Sequence, residues 1–148
     1  MGIVVVETFI ARPPEEVFAY LRDYSHEAKW QSEHVSQVTV EPPGPARVGT
    51  RVRKVRRAGG GKQRFTLEIT EMNEQSRRWT DIMLDSPFHG TKGSWEVLPE
   101  KGGSRVRLTA HMQASGLWRL LLPVIDRSTR KDLQAEFASL KKTLESAS

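Results

Sequence analysis

Between residues 34 and 114 the chain alternates apolar and polar residues in six runs: HVSQVTVE, TRVRKVRR, KQRFTLEITE, RRWTDIML, GSWEVLP and SRVRLTAHMQA. Such alternation is typical of β-strands with one buried face. The turns between runs are placed at Gly59-Gly60-Gly61, 73–76, 85–87 and 101–103, where residue types that suit tight hairpins are concentrated. With an apolar run over residues 3–10, the pattern predicts seven antiparallel strands.

The apolar residues of each predicted strand lie on one face. Phe65, Leu67 and Ile69 share one side of their strand, and polar residues occupy the other. The last strand has the same pattern, with an apolar face formed by Val106, Leu108, Ala110 and Met112. A sheet with one apolar face needs a covering layer.

Two regions show helical signals. Pro14 follows the first strand at a position that suits the start of a helix, and the two glutamates after it complement the positive helix end. Asp23 is expected to cap a second short helix near residues 25–31. Over residues 116–146, apolar residues recur at spacings of four, three and four, which predicts a long helix that Pro123 kinks or restarts. The fold class is therefore α+β, with this helix covering the sheet.

Composition excludes several classes of site. The chain has 148 residues and no cysteine, which favours one domain, 1–148, without disulfides or thiolate metal sites. No phosphate-binding loop, nucleophile motif or metal-ligand spacing occurs, so neither a metal nor a cofactor is predicted. The apolar segment LWRLLLPVI, residues 117–125, is too short to span a membrane, and the apolar start lacks the features of a signal peptide. We therefore expect a cytoplasmic protein.

Positive charge is concentrated in one predicted hairpin. The net charge is +5, and residues 46–65 contain eight Lys or Arg and no acid. Such a hairpin can attract a polyanion such as RNA. It is also typical of a solvated strand pair whose charges discourage edge-to-edge association.

The order of these elements resembles the START-like helix-grip (SRPBCC) superfamily, in particular its polyketide cyclase/dehydrase and lipid-transport branch. The segments that carry the resemblance are IARPPEEVFAYLRDYSHEAKW, VGTRVR, ITEMNEQSRRW, GSWEVLPEKGGSRVRL and LLPVIDRSTRKDLQAEFASLKKTLE. Ala28 departs from the family pattern, where a proline often stands two residues before the tryptophan. The resemblance implies a curved seven-stranded sheet that grips the C-terminal helix, two short helices between the first two strands, and a cavity for a hydrophobic or amphipathic small molecule.

Strand parity and the position of the covering helix indicate which residues line that cavity. Aromatic and aliphatic walls suit an apolar ligand, although the same residues would also make an ordinary core. The predicted ligand-binding residues are Trp30, Phe65, Leu67, Ile82, Leu84, Trp95, Leu108, Met112, Trp118, Leu121 and Leu122.

Three residues are candidates for acid–base chemistry. His89 and Thr91 share strand parity with Trp95, and a histidine that titrates near neutrality suits a cyclisation or dehydration step. In strand 78–85 we favour the parity that turns Ile82 and Leu84 inward. The opposite parity would bury Asp81 and make it a candidate proton carrier with a raised pKa.

Three functions follow from these observations. The first is binding of a hydrophobic small molecule such as a lipid or a polyketide. The second is an enzyme of the cyclase or dehydratase type that uses His89, with Asp81 and Thr91 as partners. The third is interaction with RNA or a ribosome through the basic 47–64 hairpin, which has no interleaved aromatic residues to stack bases. The sequence does not indicate an oligomeric state.

Overall fold

The computed structural model describes residues 2–58 and 61–146, so Gly59 and Gly60 of the predicted hairpin turn lie outside the described residues. The strands are β1 (Gly2–Ile10), β2 (Val35–Glu41), β3 (Arg51–Ala58), β4 (Gly61–Asn73), β5 (Arg78–Met83), β6 (Lys92–Glu100) and β7 (Gly103–Met112). The helices are α1 (Pro14–Arg22), α2 (Glu27–Trp30) and α3 (Leu122–Ser146). Two 3-10 segments span Tyr24–His26 and Gly116–Leu121.

All seven strands form one antiparallel sheet in the order β1-β7-β6-β5-β4-β3-β2. Neighbouring strands are consecutive in sequence except for β1, which pairs with β7 along its whole length. Register shifts occur in β2 between Val35 and Gln37 and in β4 between Ile69 and Glu71. Bulges of this kind bend a strand and increase its twist. The predicted helix-grip architecture is confirmed.

The short helices begin where the sequence indicates. Helix α1 begins at Pro14. Proline has no backbone N–H, and no hydrogen bond is lost because the N–H groups of the first turn lack intrahelical partners. Asp23 follows this helix, and its Oδ1 accepts hydrogen bonds from the Ser25 backbone N–H at 3.1 Å and from the Ser25 hydroxyl at 2.6 Å. The cap stabilises the 3-10 turn that leads into α2.

The long helix restarts at Pro123 rather than running unbroken from residue 116. Residues Gly116–Leu121 form a 3-10 segment, and α3 begins at Leu122 with Pro123 in its first turn. A proline is tolerated there because the first backbone N–H groups of a helix have no intrahelical partner. No helix in residues 2–58 and 61–146 is both long enough and apolar enough to cross a membrane.

An aromatic cluster joins α2, α3 and the centre of the sheet. Trp79 and Trp95 stack with their ring centroids 5.5 Å apart, and Phe137 of α3 lies 6.0 Å from both Trp95 and Trp30. Trp30 and Phe137 are each 1% exposed. Trp30 is therefore a core residue, and it does not line the cavity described below.

The favoured parity of β5 is wrong. Trp79 and Asp81 are buried on the inner face, whereas Leu84 is 40% exposed and Ile82 is half-buried on the outer face. Turning Trp79 inward buries an indole that stacks on Trp95, a larger apolar surface than an isoleucine offers. The same alternation forces Asp81 inward two residues later.

We predict that Phe137→Ala destabilises the protein by ~3–5 kcal/mol, because it leaves a cavity between two tryptophans. The measurement is urea unfolding followed by circular dichroism. Gln134→Ala, on the exposed face of the same helix, is the matched control and should change stability by no more than ~0.5 kcal/mol. Similar losses in the two variants would contradict the assignment of Phe137 to the core.

Candidate functional site

A cavity of about 850 Å³ lies between the inner face of the sheet and the N-terminal half of α3. Apolar side chains of four strands form most of its wall, and Val124, Ile125 and Leu133 of α3 close the opposite side. The sheet contributes Phe65, Leu67, Met83, Trp95, Leu108, Ala110 and Met112. A volume of this size accommodates a small organic molecule.

A buried ion pair lies at the wall formed by β3 and α2. Lys54 Nζ is 2.7 Å from Glu27 Oε1 and donates a hydrogen bond of 2.9 Å to Gln31 Oε1. The side chains of Lys54 and Glu27 are 5% and 4% exposed, and all three residues line the cavity. Burial raises the pKa of Glu27, and the ammonium of Lys54 opposes that rise.

Asp81 places a buried carboxyl group on the cavity wall. Its Oδ2 accepts hydrogen bonds from the Tyr24 hydroxyl at 2.7 Å and from Trp95 Nε1 at 3.3 Å. The Tyr24 oxygen in turn accepts a hydrogen bond of 2.9 Å from Trp79 Nε1. Burial raises the pKa of Asp81, while the Tyr24 hydrogen bond and the charge of Lys54 act in the opposite direction.

Gly93 leaves room for the Asp81 carboxylate. A methyl group added at Gly93 would lie 2.6 Å from Asp81 Oδ1, closer than such contacts occur in proteins. The space beside Gly93 on the inner face is thus partly occupied by the carboxyl group of the neighbouring strand. Tyr24, which completes this group, is 1% exposed, and burial raises its pKa well above the usual value.

A second polar group joins β3 to α3 at the side of the cavity. Arg56 Nη2 donates a hydrogen bond of 2.6 Å to Glu136 Oε2, and His34 Nδ1 lies 2.8 Å from the same oxygen. His34 Nε2 is also 3.5 Å from Asp132 Oδ1. Within residues 2–58 and 61–146, no group of three or more His, Asp or Glu side chains is arranged to hold a metal ion.

His89 does not line the cavity. It is exposed in the turn between β5 and β6, where its backbone N–H bonds to the Ser86 carbonyl at 3.1 Å. Strand parity failed here because β6 begins only at Lys92 and Ser86 has a positive φ of 76°, so the alternation does not extend back to residue 89. Thr91 does line the cavity, but its hydroxyl exchanges two hydrogen bonds with the backbone of Gln113.

The predicted ligand-binding residues divide into two groups. Six of them line the cavity: Phe65, Leu67, Trp95, Leu108, Met112 and Trp118. The other five do not: Trp30, Ile82, Leu84, Leu121 and Leu122. Leu121 is 49% exposed, and Leu122 is 8% exposed at the start of α3. Leu121 ends a 3-10 segment and Leu122 directly follows it, so helical periodicity extended back from α3 does not give their orientation.

Sequence reasoning missed two polar residues of the cavity wall, Lys54 and Glu27. Lys54 shares strand parity with the buried Val52, and this signal was sufficient to place it on the inner face. Glu27 has no comparable signal, because a four-residue helix shows too little periodicity to define a buried side. Its burial depends on the ion pair with Lys54.

The basic hairpin carries less unpaired positive charge than its sequence suggests, because several of its cations pair with acids. Lys54 and Arg56 point to the cavity side and pair with acids, and Arg51 and Arg53 form exposed pairs with Glu68 and Glu41. These four cations are therefore neutralised at short range. Binding to RNA or a ribosome through residues 47–64 stays a prediction.

The comparisons with known proteins identify the family. Residues 1–145 match the polyketide cyclase / dehydrase and lipid transport family. The chain therefore belongs to this family, and the START-like resemblance of its sequence is confirmed. No curated protein matches the chain.

Solved structures share the architecture. The protein TTHA0849 from Thermus thermophilus is 26% identical with a TM-score of 0.84, over 99% of both chains. A START superfamily protein from Mycobacterium smegmatis is 10% identical with a TM-score of 0.78, also over 99% of both chains. The di-domain ARO/CYC BexL from the BE-7585A biosynthetic pathway is 23% identical with a TM-score of 0.77, over 98% of this chain and 47% of its own. The last two similarities show the fold alone.

We predict that Asp81→Asn changes the pH dependence of stability. Folded Asp81 keeps its proton to a higher pH than the unfolded chain, so its contribution is full below about pH 4 and is lost as pH rises through the folded pKa. The variant has no such titration. Its free energy of unfolding relative to wild type should therefore increase between about pH 4 and about pH 7. Urea denaturation at several pH values measures this difference, and a difference independent of pH would contradict a raised pKa.

Proposed function

We propose that the protein binds an amphipathic small molecule, whose apolar body lies along the inner face of the sheet and whose polar group meets Lys54 and Asp81. The observation that carries this proposal is the combination of a roughly 850 Å³ cavity, a mostly apolar wall, and an ammonium and a carboxylic acid buried in that wall. The family match supports a ligand-binding or cyclase-type protein at this coarser level.

The apolar wall favours a flat or elongated hydrophobic body. Phe65 and Trp95 supply aromatic surface, and Leu108 and Met112 supply flexible aliphatic surface on the neighbouring strand. Burial of a ligand's apolar surface against such a wall is favourable at ~25 cal/mol per Å² before the costs of association are subtracted. Apolar contact therefore provides affinity but little orientation.

The buried polar groups favour an oxygen-bearing ligand group. An ammonium has three N–H donors; Lys54 donates one to Gln31 and forms an ion pair with Glu27. A remaining N–H can donate to a ligand carbonyl or hydroxyl oxygen. The acid of Asp81, when protonated, offers a further donor on the same wall. A ketone, phenol or alcohol at this end would thus fix the orientation of the apolar body.

We predict that Ala110→Phe lowers affinity for the fluorescent probe 1-anilinonaphthalene-8-sulfonate by at least about tenfold, because the new ring fills part of the cavity. The measurement is a fluorescence titration, with native mass spectrometry of the freshly purified protein to find any copurified molecule. Thr109→Phe adds a ring at the neighbouring position on the outer face of β7 and is the matched control. Equal affinities in the two variants and wild type would place the probe outside the cavity and overturn the proposal.

A second candidate function is catalysis of a cyclisation or dehydration, with Asp81 as the acid in place of His89. The observation that favours it is a buried carboxylic acid with a raised pKa, positioned by Tyr24 on the wall of the cavity. An acid of this kind can protonate a leaving hydroxyl group so that the C–O bond breaks and water departs, and the resulting Asp81 carboxylate can take the proton of the adjacent carbon as the C=C bond forms.

If turnover of an aromatic or polyketide-like substrate is measured, Asp81→Asn should reduce it by ~10²–10⁴, the usual contribution of a positioned acid or base. Stopped assays of substrate loss, together with probe affinity, separate a catalytic defect from a binding defect. His89→Gln is the control and should leave turnover unchanged, because His89 is exposed in a turn. A loss in the His89 variant alone would return the catalytic role to that residue.

A further inference from the structure

The sequence segment 117–125 forms an exposed apolar surface, only part of which lines the cavity. Its five large apolar residues with high exposure are named here the apolar rim: Leu117 (79%), Trp118 (45%), Leu120 (79%), Leu121 (49%) and Val124 (67%). Single exposed hydrophobic residues are common, but five within eight positions form a patch. Such patches mark interaction sites on proteins whose remaining surface is polar.

The apolar rim lies at the mouth of the cavity. Trp118 and Val124 line the cavity with part of their surface, and the ring of Trp118 meets that of Phe88 at 5.5 Å. The Ser115 backbone N–H bonds to the Pro87 carbonyl at 3.0 Å, which holds the 3-10 segment against the β5–β6 turn. Whatever covers the apolar rim therefore also faces the entrance of the cavity.

Positive charge surrounds the apolar rim. Residues 116–131 include four basic residues and one acid, Asp126. Arg119, Arg127, Arg130 and Lys131 are exposed, and none of them forms an ion pair with a described residue. On α3, Arg127 and Lys131 follow Val124 at spacings of three and seven, so these residues share one solvent-facing side of the helix.

We propose that the apolar rim docks on the surface of an anionic phospholipid bilayer, so that the mouth of the cavity opens toward the lipid. Exposed leucines beside a tryptophan, with arginine and lysine around them, match the interfacial layer of such a bilayer, where apolar side chains enter the acyl boundary and cations meet phosphate. A second copy of this chain fits less well, because a symmetric contact would bring the same four cations against each other.

The bilayer proposal is tested by flotation with vesicles of phosphatidylcholine, with and without about one quarter phosphatidylglycerol. Wild type should bind the anionic vesicles, and added salt should weaken that binding. Leu117→Ser/Leu120→Ser should lower the partition coefficient by at least about tenfold, since both leucines lose their contact with lipid. Arg127→Gln/Lys131→Gln should lower it on anionic vesicles alone. Val48→Ser, at an isolated exposed residue of the β2–β3 loop, is the matched control and should bind like wild type.

A second measurement locates the bound surface. Trp30, Trp79 and Trp95 are at most 5% exposed, so Trp118 is the tryptophan that a lipid-borne quencher can reach. Brominated phospholipids in anionic vesicles should quench a component of the emission that Trp118→Phe removes. The absence of this quenching, with vesicle binding retained, would overturn the proposed docking surface.

The outcomes are separable from those of the proposed function. Leu117 and Leu120 do not line the cavity, so their double variant should bind 1-anilinonaphthalene-8-sulfonate as wild type does. No partition of wild type into anionic vesicles would overturn the bilayer proposal, as would partition that the double variant retains. A wild-type dimer that the double variant converts to monomer, without vesicle binding, would assign the apolar rim to contact between copies. A loss of probe binding in Ala110→Phe bears on the cavity alone.

Discussion

Helix α3 packs tightly on the inner face of the sheet over only part of its length, and the core and the cavity both follow from this constraint. From Leu133 onward, α3 buries Leu133, Phe137, Leu140 and Leu144, whereas the residues before Leu133 bury little beyond Leu122. Three contacts anchor the sealed end to the end of β1 and the residues after it: Lys141 to the Phe9 carbonyl, the Ala11 N–H to Glu145, and Arg12 to the Leu144 carbonyl. Where α3 seals the sheet there is packed core, and where it does not there is a cavity.

The polar groups in the cavity wall differ from the apolar interior because their burial costs free energy unless they are paired. A buried charge is tolerated only when it is paired and hydrogen-bonded, and the pair Lys54–Glu27 meets this condition with help from Gln31. Replacing such a pair with apolar residues is often neutral or stabilising, so its presence is weak support for a purely structural role. Asp81 adds a third ionisable group nearby, and its burial disfavours the charged form. An ammonium and a carboxyl group beside an apolar wall are what the orientation of an amphipathic ligand requires.

The sequence predicted the architecture better than the site because the two depend on different information. Alternation over ten residues of β7 repeats the same signal several times, so one ambiguous position does not change its inner face. Strand β5 has only six residues, and its two faces have similar apolar content. The stacking of Trp79 on Trp95 decides which face is buried. That contact joins different strands, and no local pattern contains it. The predicted inward position of His89 was wrong for a related reason. Strand parity was extended through a turn in which Ser86 has left-handed backbone geometry.

The two ends of α3 differ in their exposure to solvent, and this difference connects the fold to the proposed docking surface. At the C-terminal end, charged side chains bond to backbone groups at the end of the first strand and just after it, and fix the helix on the sheet. At the N-terminal end, a 3-10 segment carries exposed leucines into solvent without burying a residue of its own. Leu117 and Leu120 at this end add little to the stability of the isolated chain, since most of their surface remains in water. The position of the apolar rim at the mouth of the cavity is therefore better explained by contact with another apolar phase than by the stability of the fold.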